Sequence, residues 1–455
     1  MKKPWRLSLA TALISLTLAP LSLAGCGDDS DTKTTTATKE QISYWLWDAN
    51  QLPAYTECAT AFQKTKPNIT VKIDQFGWPD YWNKVTTGMV SGDMPDVFTD
   101  HLNYYPTFAG KNQIMPLDDL ISKDGVKTDI YAKGLADLWV SQDGKRYGLP
   151  KDFDTIALFY NAKMLKAAGV DAASLSTLAW NPTDGGSYEK LIAHLTVDAK
   201  GKRGDEAGFD KAHVKVYGLG LDENQGAGVG QQMWSMYALS TGWNYTDKNP
   251  WGTHFNYDDP RFQQAIGWWR SLIAKGYMPS LAISRSGTSV NDGFGAGKYA
   301  LSTNGSWMIG SYFGYKGVQA GVAPIPLGPD GKRASVFNGL ADSIYAGTKH
   351  KDAAWQWVKF LASADCQKIV GGKGVVFPAI PEATALAVQT FKSKNVDVSA
   401  FTDRIDKGET FLYPITEHAP EIAAIMNPAM DAVLSFKAEP ASLTAANKQV
   451  NALFQ

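Results

Sequence analysis

Residues 41–98 alternate between strand-like and helix-like hydrophobic patterns, and this alternation constrains the fold more than any other feature of the chain. The strand-like runs are rich in β-branched and aromatic residues, and the runs between them carry apolar residues at helical spacing. A strand–helix–strand–helix–strand order predicts a parallel sheet with helical crossovers, and hence an α/β fold. Strands are predicted at 41–47, 69–73 and 94–98, and helices at 53–64 and 78–90.

Aromatic and acidic residues stand where these predicted strands end. Trp47 and Asp48 follow the first strand, Trp78 begins the second helix, and Asp100 follows the third strand. In open α/β sheets, ligands bind outside the carboxyl ends of the strands. We therefore expect these four side chains at a ligand site. The alternative for each is that it caps a neighbouring helix.

The first forty residues predict export and a lipid anchor. Basic residues precede an apolar run over 7–19, as in a signal peptide. The Leu-Ala-Gly-Cys run at 23–26 resembles the lipobox of bacterial lipoproteins, which implies cleavage before Cys26 and a diacylglycerol on its thiol. We predict a signal peptide at 1–25, a polar flexible tether at 26–40, and a body anchored to the cell membrane on its extracellular or periplasmic side. The alternative, a single-pass helix, needs a longer apolar run.

The charge balance argues against a nucleic-acid partner. The chain has 44 basic and 45 acidic residues, whereas nucleic-acid binding depends on neutralising phosphates with Lys and Arg. No second apolar run reaches membrane-spanning length, so the chain is not expected to transport anything itself. The 15 Trp, 19 Tyr and 19 Phe residues fit core packing, and some of them fit a sugar site, because flat rings suit the C–H faces of pyranoses. Composition leaves both interpretations open.

Two cysteines remain once Cys26 carries lipid. In an exported protein, Cys58 and Cys366 suggest one disulfide. The alternative is two separate buried thiols. The long sequence separation does not forbid the bond, because loop-closure entropy grows slowly with loop length.

Four groups of motifs resemble one known family. The chain carries Tyr-Trp-Asn-Lys and Ser-Gly-Asp-Met-Pro-Asp-Val-Phe in the first group, then Tyr-Gly-Leu-Pro-Lys-Asp-Phe-Asp, then Gly-Lys-Tyr-Ala-Leu-Ser-Thr-Asn-Gly-Ser-Trp, and finally Asn-Gly-Leu with a Trp-rich helix. In this order, the chain resembles the sugar-binding, maltose-binding-protein-like branch of the family 1 extracellular solute-binding proteins of ABC importers. The motifs lie at 81–84 and 91–98, 147–161, 297–307, and 338–340 with 351–361.

This resemblance implies the two-lobed periplasmic-binding-protein type II fold, with the ligand in a cleft between lobes joined by crossover strands. The crossovers are expected near 152–156, 322–327 and 375–378. Cys58 and Cys366 then fall on helices of the same lobe, which favours their disulfide. Lobe 1 is expected at 41–153 and 327–375, and lobe 2 at 154–326 and 376–455.

The resemblance also implies roles for individual residues, and Trp307 and Asp154 are the strongest candidates. Trp307 ends the Asn-Gly-Ser-Trp segment, where the family stacks an aromatic ring on a sugar. Its alternative is a core Trp. Asp154 matches the acidic position of the hinge segment, where a carboxylate can accept two hydroxyl hydrogen bonds. Its alternatives are a solvated loop acid or an ion-pair partner for Lys151.

Weaker candidates come from the middle and C-terminal segments. Gln231 and Trp234 stand at a family-like position, with helix-core packing as the alternative for Trp234. Asn338 and Gly339 match a segment that enters the cleft. Glu417 and its neighbour His418 are carried over from a region that departs most from the family pattern.

Together these features predict a lipoprotein that captures a neutral sugar, with a di- or oligosaccharide favoured by the aromatic count, and hands it to ABC permease subunits. It is expected to be a monomer without cofactor, metal or catalytic residues.

Three alternatives stay open. A secreted glycoside hydrolase needs two carboxylates across a cleft, and no hydrolase signature is found. A surface sugar sensor or adhesin would use the same fold. A polyol or glycerol phosphate would change only the ligand, and a phosphate would call for an arginine-lined cleft.

Residues 198–210 carry acids spaced by glycines and faintly resemble a calcium loop. Three basic residues interrupt the run and the regular acidic spacing is missing. A solvated hairpin is the favoured interpretation, and calcium binding stays open.

Overall fold

The computed structural model describes residues 39–222, 228, 230–286 and 290–455. The predicted signal peptide, Cys26 and nearly all of the tether lie outside the described residues. Within the described part of the chain, no helix has both the length and the apolar character needed to cross a bilayer.

The described residues form twelve strands in two sheets, which are the centres of the two lobes that the fold class predicts. The strands are β1 (Glu40–Leu46), β2 (Ile69–Gln75), β3 (Val97–His101), β4 (Pro150–Asp154), β5 (Ile156–Asn161), β6 (Val197–Asp198), β7 (Val214–Leu219), β8 (Tyr299–Gly305), β9 (Ala320–Ala323), β10 (Ser335–Ile344), β11 (Phe377–Pro378) and β12 (Thr410–Leu412).

Helices cover both sheets. They are α1 (Leu52–Thr65), α2 (Trp78–Ser91), α3 (Tyr105–Gly110), α4 (Asp118–Asp124), α5 (Ala162–Ala167), α6 (Gly186–Leu195), α7 (Ser235–Leu239), α8 (Pro260–Lys275), α9 (Leu281–Ser284), α10 (Val290–Gly295), α11 (Ile309–Gly314), α12 (Lys351–Leu361), α13 (Ala364–Lys373), α14 (Pro381–Ser393), α15 (Ser399–Asp406), α16 (Ala419–Leu434) and α17 (Leu443–Ala452). Short 3-10 helices lie at Ala136–Trp139, Ala172–Thr177, Ser306–Met308 and Pro440–Ser442.

The first sheet has the order β11-β4-β10-β3-β1-β2, with β12 paired to β10. β1 runs parallel to both β2 and β3, which confirms the parallel β–α–β–α–β unit predicted from the sequence. Its alternating burial turns Ile42, Tyr44 and Leu46 into the core. α2 ends at Ser91 and is followed by Gly92, whose positive φ of 83° suits glycine and stops the helix before β3.

The second sheet has the order β6-β7-β8-β5-β9. β5 lies between β8 and β9 and pairs antiparallel with both, while the central strand β8 runs parallel to β7. A large aromatic core covers this sheet, and α8, α16 and α17 contribute to it.

Cys58 on α1 and Cys366 on α13 form a disulfide, with their Cα atoms 5.2 Å apart. Of the two states that the sequence left open, the bonded one is therefore present. The bond lies among the helices that cover the first sheet, in the same hydrophobic cluster as the buried Trp357 of α12.

The assignment of the strands to the two sheets shows where the chain passes between them. β4 ends in the first sheet at Asp154 and β5 starts in the second at Ile156, which is where the first crossover was expected. β9 and β10 lie in different sheets, so the second passage falls within 324–335. β11 pairs with β4, and α14 packs against α13. We therefore propose that lobe 1 extends through α14, beyond the expected boundary at 376.

The hairpin of β6 and β7 contains the segment with the faint calcium-loop pattern. Asp198 is buried, and its carboxylate accepts the backbone N–H groups of Lys200, Lys202 and Asp210 at 2.8–2.9 Å. Asp210 in turn lies 2.9 Å from His213 Nδ1. Among the described residues, no group of three or more His, Cys, Asp or Glu side chains is arranged to hold a metal ion.

Candidate functional site

A cavity of about 330 Å³ lies between the two sheets and is lined from both. The first-sheet wall comes from the ends of β1, β3 and β4, the middle of β10 and the start of α2. The second-sheet wall comes from the residues after β8, the start of α10 and the segment before α7. The lining residues used below are Trp47, Asp48, Gln51, Trp78, His101, Asp152, Asp154, Asp222, Gln231, Gln232, Asn291, Trp307 and Asn338.

Two tryptophans of the first-sheet wall are held in place by other rings. Trp47 meets Trp78 edge-on, with ring centroids 5.1 Å apart and planes at 88°. The Trp47 ring also contacts Tyr81 at 5.1 Å and Trp82 at 5.7 Å. Each such pair adds to the burial energy and limits ring rotation. Both indoles are only half-buried, so part of each remains available to the cavity.

Three carboxylates stand on the same wall. Asp48 follows β1, and it accepts hydrogen bonds from the backbone N–H of Asn50 (2.8 Å) and from Gln51 Nε2 (3.1 Å). Burial of its carboxyl raises the pKa of Asp48. Asp152 and Asp154 stand two residues apart on β4, so both side chains lie on the same face of the strand and line the cavity.

Asp154 connects the two walls. Gln231 Nε2 donates to its Oδ1 at 3.3 Å, and Asn338 Nδ2 donates to its Oδ2 at 3.1 Å. Burial raises the pKa of Asp154 to about 7, although the Asn338 hydrogen bond acts in the opposite direction. Burial likewise raises the pKa of Asp152 to about 8, against the attraction of Lys151.

Lys151 lies on the opposite face of β4. Its Nζ donates to Tyr44 Oη (2.9 Å), Thr99 Oγ1 (3.0 Å) and Asp342 Oδ1 (3.2 Å), all of them buried. The ion-pair partner of Lys151 is thus Asp342 rather than Asp154. This arrangement holds β4 to its neighbours and keeps the ammonium away from the cavity.

The second-sheet wall is built around Trp307. β8 ends at Gly305 and continues into the 3-10 helix Ser306–Met308, which projects the half-buried Trp307 ring into the cavity. Asp222 accepts a hydrogen bond from Asn304 Nδ2 at 2.9 Å. Gln231 and Gln232 are both almost completely buried.

Of the residues predicted from the sequence, seven line this cavity: Trp47, Asp48, Trp78, Asp154, Gln231, Trp307 and Asn338. Asp100 does not. β3 extends to His101, beyond the expected end of the strand, so strand alternation turns Asp100 to the other face. There it accepts the backbone N–H of His101 (2.8 Å) and the hydroxyl of Ser343 (2.9 Å), and burial raises its pKa to about 7.

Trp234, Gly339, Glu417 and His418 also lie outside the cavity lining. Trp234 is completely buried against Trp243 and Phe262, which is the core placement weighed as its alternative. Gly339 is a buried residue within β10. Glu417 lies beside Gly110, and the ring of His418 contacts Phe454.

Several lining residues were not predicted. His101 stands next to Asp100, and Asp152 stands two residues before Asp154. Strand alternation could therefore have identified both as lining residues. Burial lowers the pKa of His101 to about 3, so its ring is neutral in the cavity wall. Asp222 and Gln232 lie outside the strands and helices, where no periodic signal marks a side chain as facing a cavity, and Asn291 lies in the short helix α10.

Residues 57–397 match the family model of the bacterial extracellular solute-binding proteins. The chain belongs to this family. The resemblance drawn from the four groups of motifs is thereby confirmed.

Two relatives match most of this solute-binding protein. A binding protein of Brucella abortus (strain 2308) is 25% identical over 93% of either chain. The maltooligosaccharide ABC transporter solute-binding lipoprotein of Streptococcus pneumoniae serotype 4 is 26% identical over 83% of this chain and 82% of that protein.

The fold is shared with a solved structure. The ABC substrate-binding protein Lmo0181 from Listeria monocytogenes, in complex with cycloalternan, superposes with a TM-score of 0.77 at 21% identity. The superposition covers 91% of this chain and 99% of that one.

Proposed function

We propose that this solute-binding protein captures a carbohydrate in the cavity between its lobes and delivers it to an ABC importer. The observation that carries the proposal is the cavity itself, in which half-buried tryptophans from both walls accompany buried carboxylates and amides. Stacked rings bury the apolar faces of a sugar, while carboxylates and amides satisfy its hydroxyls. The pneumococcal relative, named as a maltooligosaccharide-binding lipoprotein, supports the same class of ligand.

The distribution of tryptophans favours a ligand larger than one ring. Trp47 and Trp78 stand on one wall and Trp307 on the other, and each stacked sugar ring requires its own aromatic surface. A di- or oligosaccharide would use both surfaces at once. Contacts to both lobes favour the closed state, which the importer can then recognise.

We also propose that the mature protein is attached to the outer face of the cell membrane by lipid on Cys26, and that it acts as a monomer. The Leu-Ala-Gly-Cys run at 23–26 supports the anchor, and so does the description of the pneumococcal relative as a lipoprotein. Radiolabelled palmitate incorporated into the wild-type protein and absent from Cys26→Ser would support this; labelling of both would contradict it.

The proposal includes no catalytic step. The test is calorimetric titration with a broad panel of mono- and oligosaccharides, followed by mass spectrometry of the ligand recovered after denaturation. Binding with a micromolar or lower Kd, about −8 kcal/mol or better, and recovery of the intact ligand are the expected results. Recovery of cleaved sugar would favour the glycoside hydrolase instead. Absence of binding across the panel would contradict the proposed function.

A further inference from the structure

We propose that the carbohydrate bound in this cavity carries a protonated amino group, which is held against Asp152. This inference rests on the proposed function and specifies its ligand class. It departs from the neutral sugar expected from the sequence.

The first observation is the charge of the lining. Four carboxylates line the cavity, and none of the described lining residues is Lys or Arg. His101 supplies no compensating charge, because burial lowers its pKa to about 3. The chain positions 223–227, 229 and 287–289 also contain no Lys, Arg or His. Any of these acids that is ionised would gain no counter-charge from a neutral ligand, whereas a cationic ligand supplies one, and burying a charge without such a partner is costly.

The second observation is a set of buried oxygens that accept no hydrogen bond from the described part of the chain. They are Asp152 Oδ2, Gln231 Oε1, Gln232 Oε1 and Asn338 Oδ1. Their residues are between 1% and 2% exposed, and all four line the cavity. Because buried polar atoms are normally paired, these oxygens indicate a ligand that donates hydrogen bonds.

With Asp152 ionised, all four of these atoms are acceptors, and this asymmetry distinguishes an ammonium from a hydroxyl. The amide nitrogens of Gln231 and Asn338 donate to Asp154, which leaves the amide oxygens for the ligand. A hydroxyl brings an acceptor with each donor, whereas an ammonium brings three donors and no acceptor. An amino group can therefore donate hydrogen bonds to these four oxygens without bringing acceptors that would themselves need donors.

Asp152 is the carboxylate left for the ammonium. Asp48 and Asp154 each accept two hydrogen bonds within the protein, and Asp222 accepts one from Asn304. Asp152 Oδ2 has no such donor, and its neighbour Lys151 is bonded on the other face of β4. A charge-assisted hydrogen bond to Asp152 would therefore be gained only when an amine binds.

The charged groups around Asp152 give this pairing a pH signature. Asp154 on its own strand, Asp48 after β1 and Asp342 on β10 all raise its pKa, and Lys151 lowers it. His101, which shares the lining, is neutral. With burial added, the pKa of Asp152 reaches about 8, so the empty cavity holds a proton there at neutral pH. An arriving ammonium favours the carboxylate and displaces that proton.

The experiment compares sugars that differ only by an amine in place of a hydroxyl. Glucosamine is paired with glucose, galactosamine with galactose, and the β-1,4 disaccharide of glucosamine with cellobiose. N,N′-diacetylchitobiose keeps the nitrogen without its charge and serves as a control. Calorimetry of the purified protein at pH 7.5, in two buffers of different ionisation enthalpy, gives both the affinity and the number of protons exchanged.

At least one amine is expected to bind ten-fold or more tightly than its hydroxyl partner, with proton release. A hydroxyl or N-acetyl sugar that binds as tightly as its amine partner would overturn the inference while leaving the proposed function standing. Putrescine is a diamine without a sugar ring. If it bound as tightly as the best aminosugar, or if no sugar in this set or the broad panel bound, the proposed function itself would fail, and the inference with it.

Asp152→Asn removes the charge and keeps the shape of the side chain. It is expected to reduce the amine-to-hydroxyl preference at least ten-fold and to abolish proton release. Asp119→Asn, on the exposed start of α4, is the matched control and should retain both. If Asp152→Asn does not fold, the wild-type protein still tests the inference, because the preference should fall as the pH drops from 7.5 to 5.5. A preference independent of both the substitution and pH would contradict it.

Discussion

On the first-sheet side of the cavity, the ligand-facing side chains stand on or just beyond regular elements, whereas on the second-sheet side most of them lie in irregular segments. Asp152 and Asp154 have positions set by the pairing of β4 with β10, and Trp47 follows directly after β1. Asp222 and Gln232 have no such register. Strand ends thus provide a preformed surface, and the irregular segments adapt the opposite surface to a particular ligand.

The two walls also differ in what holds them. The Trp47 ring packs among Trp78, Tyr81 and Trp82, so the first wall is fixed before a ligand arrives. Near the cavity, polar contacts also join the second wall to the first, such as Asn50 Nδ2 donating to Ser311 Oγ at 3.0 Å. Polar contacts of this kind can open without exposing a hydrophobic core, as closure around a ligand requires.

The largest expected effect comes from the core behind the second wall. Trp234→Ala should lower the free energy of unfolding by about 3–5 kcal/mol, because it leaves a large cavity among Trp243 and Phe262. Urea denaturation followed by circular dichroism measures the change. A loss below about 1 kcal/mol, together with lost sugar binding, would contradict the core placement of Trp234 and return it to the ligand site.

The second-largest expected effect comes from removing the disulfide, which joins two helices over the first sheet. Replacing Cys58 and Cys366 together by Ser should cost about 2–5 kcal/mol of stability, since the unfolded chain is no longer cross-linked. Thermal denaturation of the double variant against the wild-type protein measures it. Full stability in the variant would show that packing alone holds α1 to α13. The disulfide would then not contribute to the difference between the two halves of the molecule.

Trp307→Ala should have a smaller energetic effect that appears in binding rather than in folding. Loss of the stacking surface should weaken carbohydrate affinity at least ten-fold, about 1.4 kcal/mol, while the half-buried position keeps the change in unfolding free energy small. Trp45→Ala is a suitable control, because Trp45 is also half-buried but packs on Phe76 away from the cavity. Equal affinity in folded Trp307→Ala would remove Trp307 from the proposed site.

The smallest expected effect is a pH-dependent gain in stability. The folded-state pKa of Asp152 is about 8, above its ordinary value of 3.8, so the folded protein binds more protons than the unfolded chain between these values. Stability of the unliganded protein therefore falls as the pH rises through this window. Asp152→Asn should raise Tm by about 2–4 °C at pH 8.5, and by less at pH 5.

Asp119→Asn again serves as the control for that measurement, and it should leave Tm unchanged at both pH values. An equal gain at pH 5 and pH 8.5 for Asp152→Asn would show that Asp152 does not hold a proton in the empty cavity.

The sequence was most informative where a period marks the face of an element. The β1–α1–β2–α2–β3 unit follows from alternating hydrophobic patterns, and the rule of strand ends placed Trp47, Asp48 and Trp78 at the cavity. The same rule misplaced Asp100, because β3 runs to His101 and a shift of one residue turns a side chain to the other face.

In segments without a regular hydrophobic pattern, only the family resemblance indicated candidate site residues. It led to Gln231, Asn338 and Trp307, which line the cavity, and also to Trp234 and Glu417, which do not. A tryptophan in an apolar segment is equally suited to a core and to a sugar site, so its sequence cannot separate the two. The roles of the lining residues in ligand binding stay predictions that the substitutions above address.

The most direct test of the central claim is a crystal structure of the protein with the carbohydrate that binds most tightly in calorimetry. We expect a sugar ring stacked on Trp307, a second ring against Trp47 or Trp78, and hydrogen bonds from the ligand to Asp152 and Asn338. A ligand bound outside the cavity, or one within it that leaves the tryptophans and these oxygens without contacts, would contradict the account.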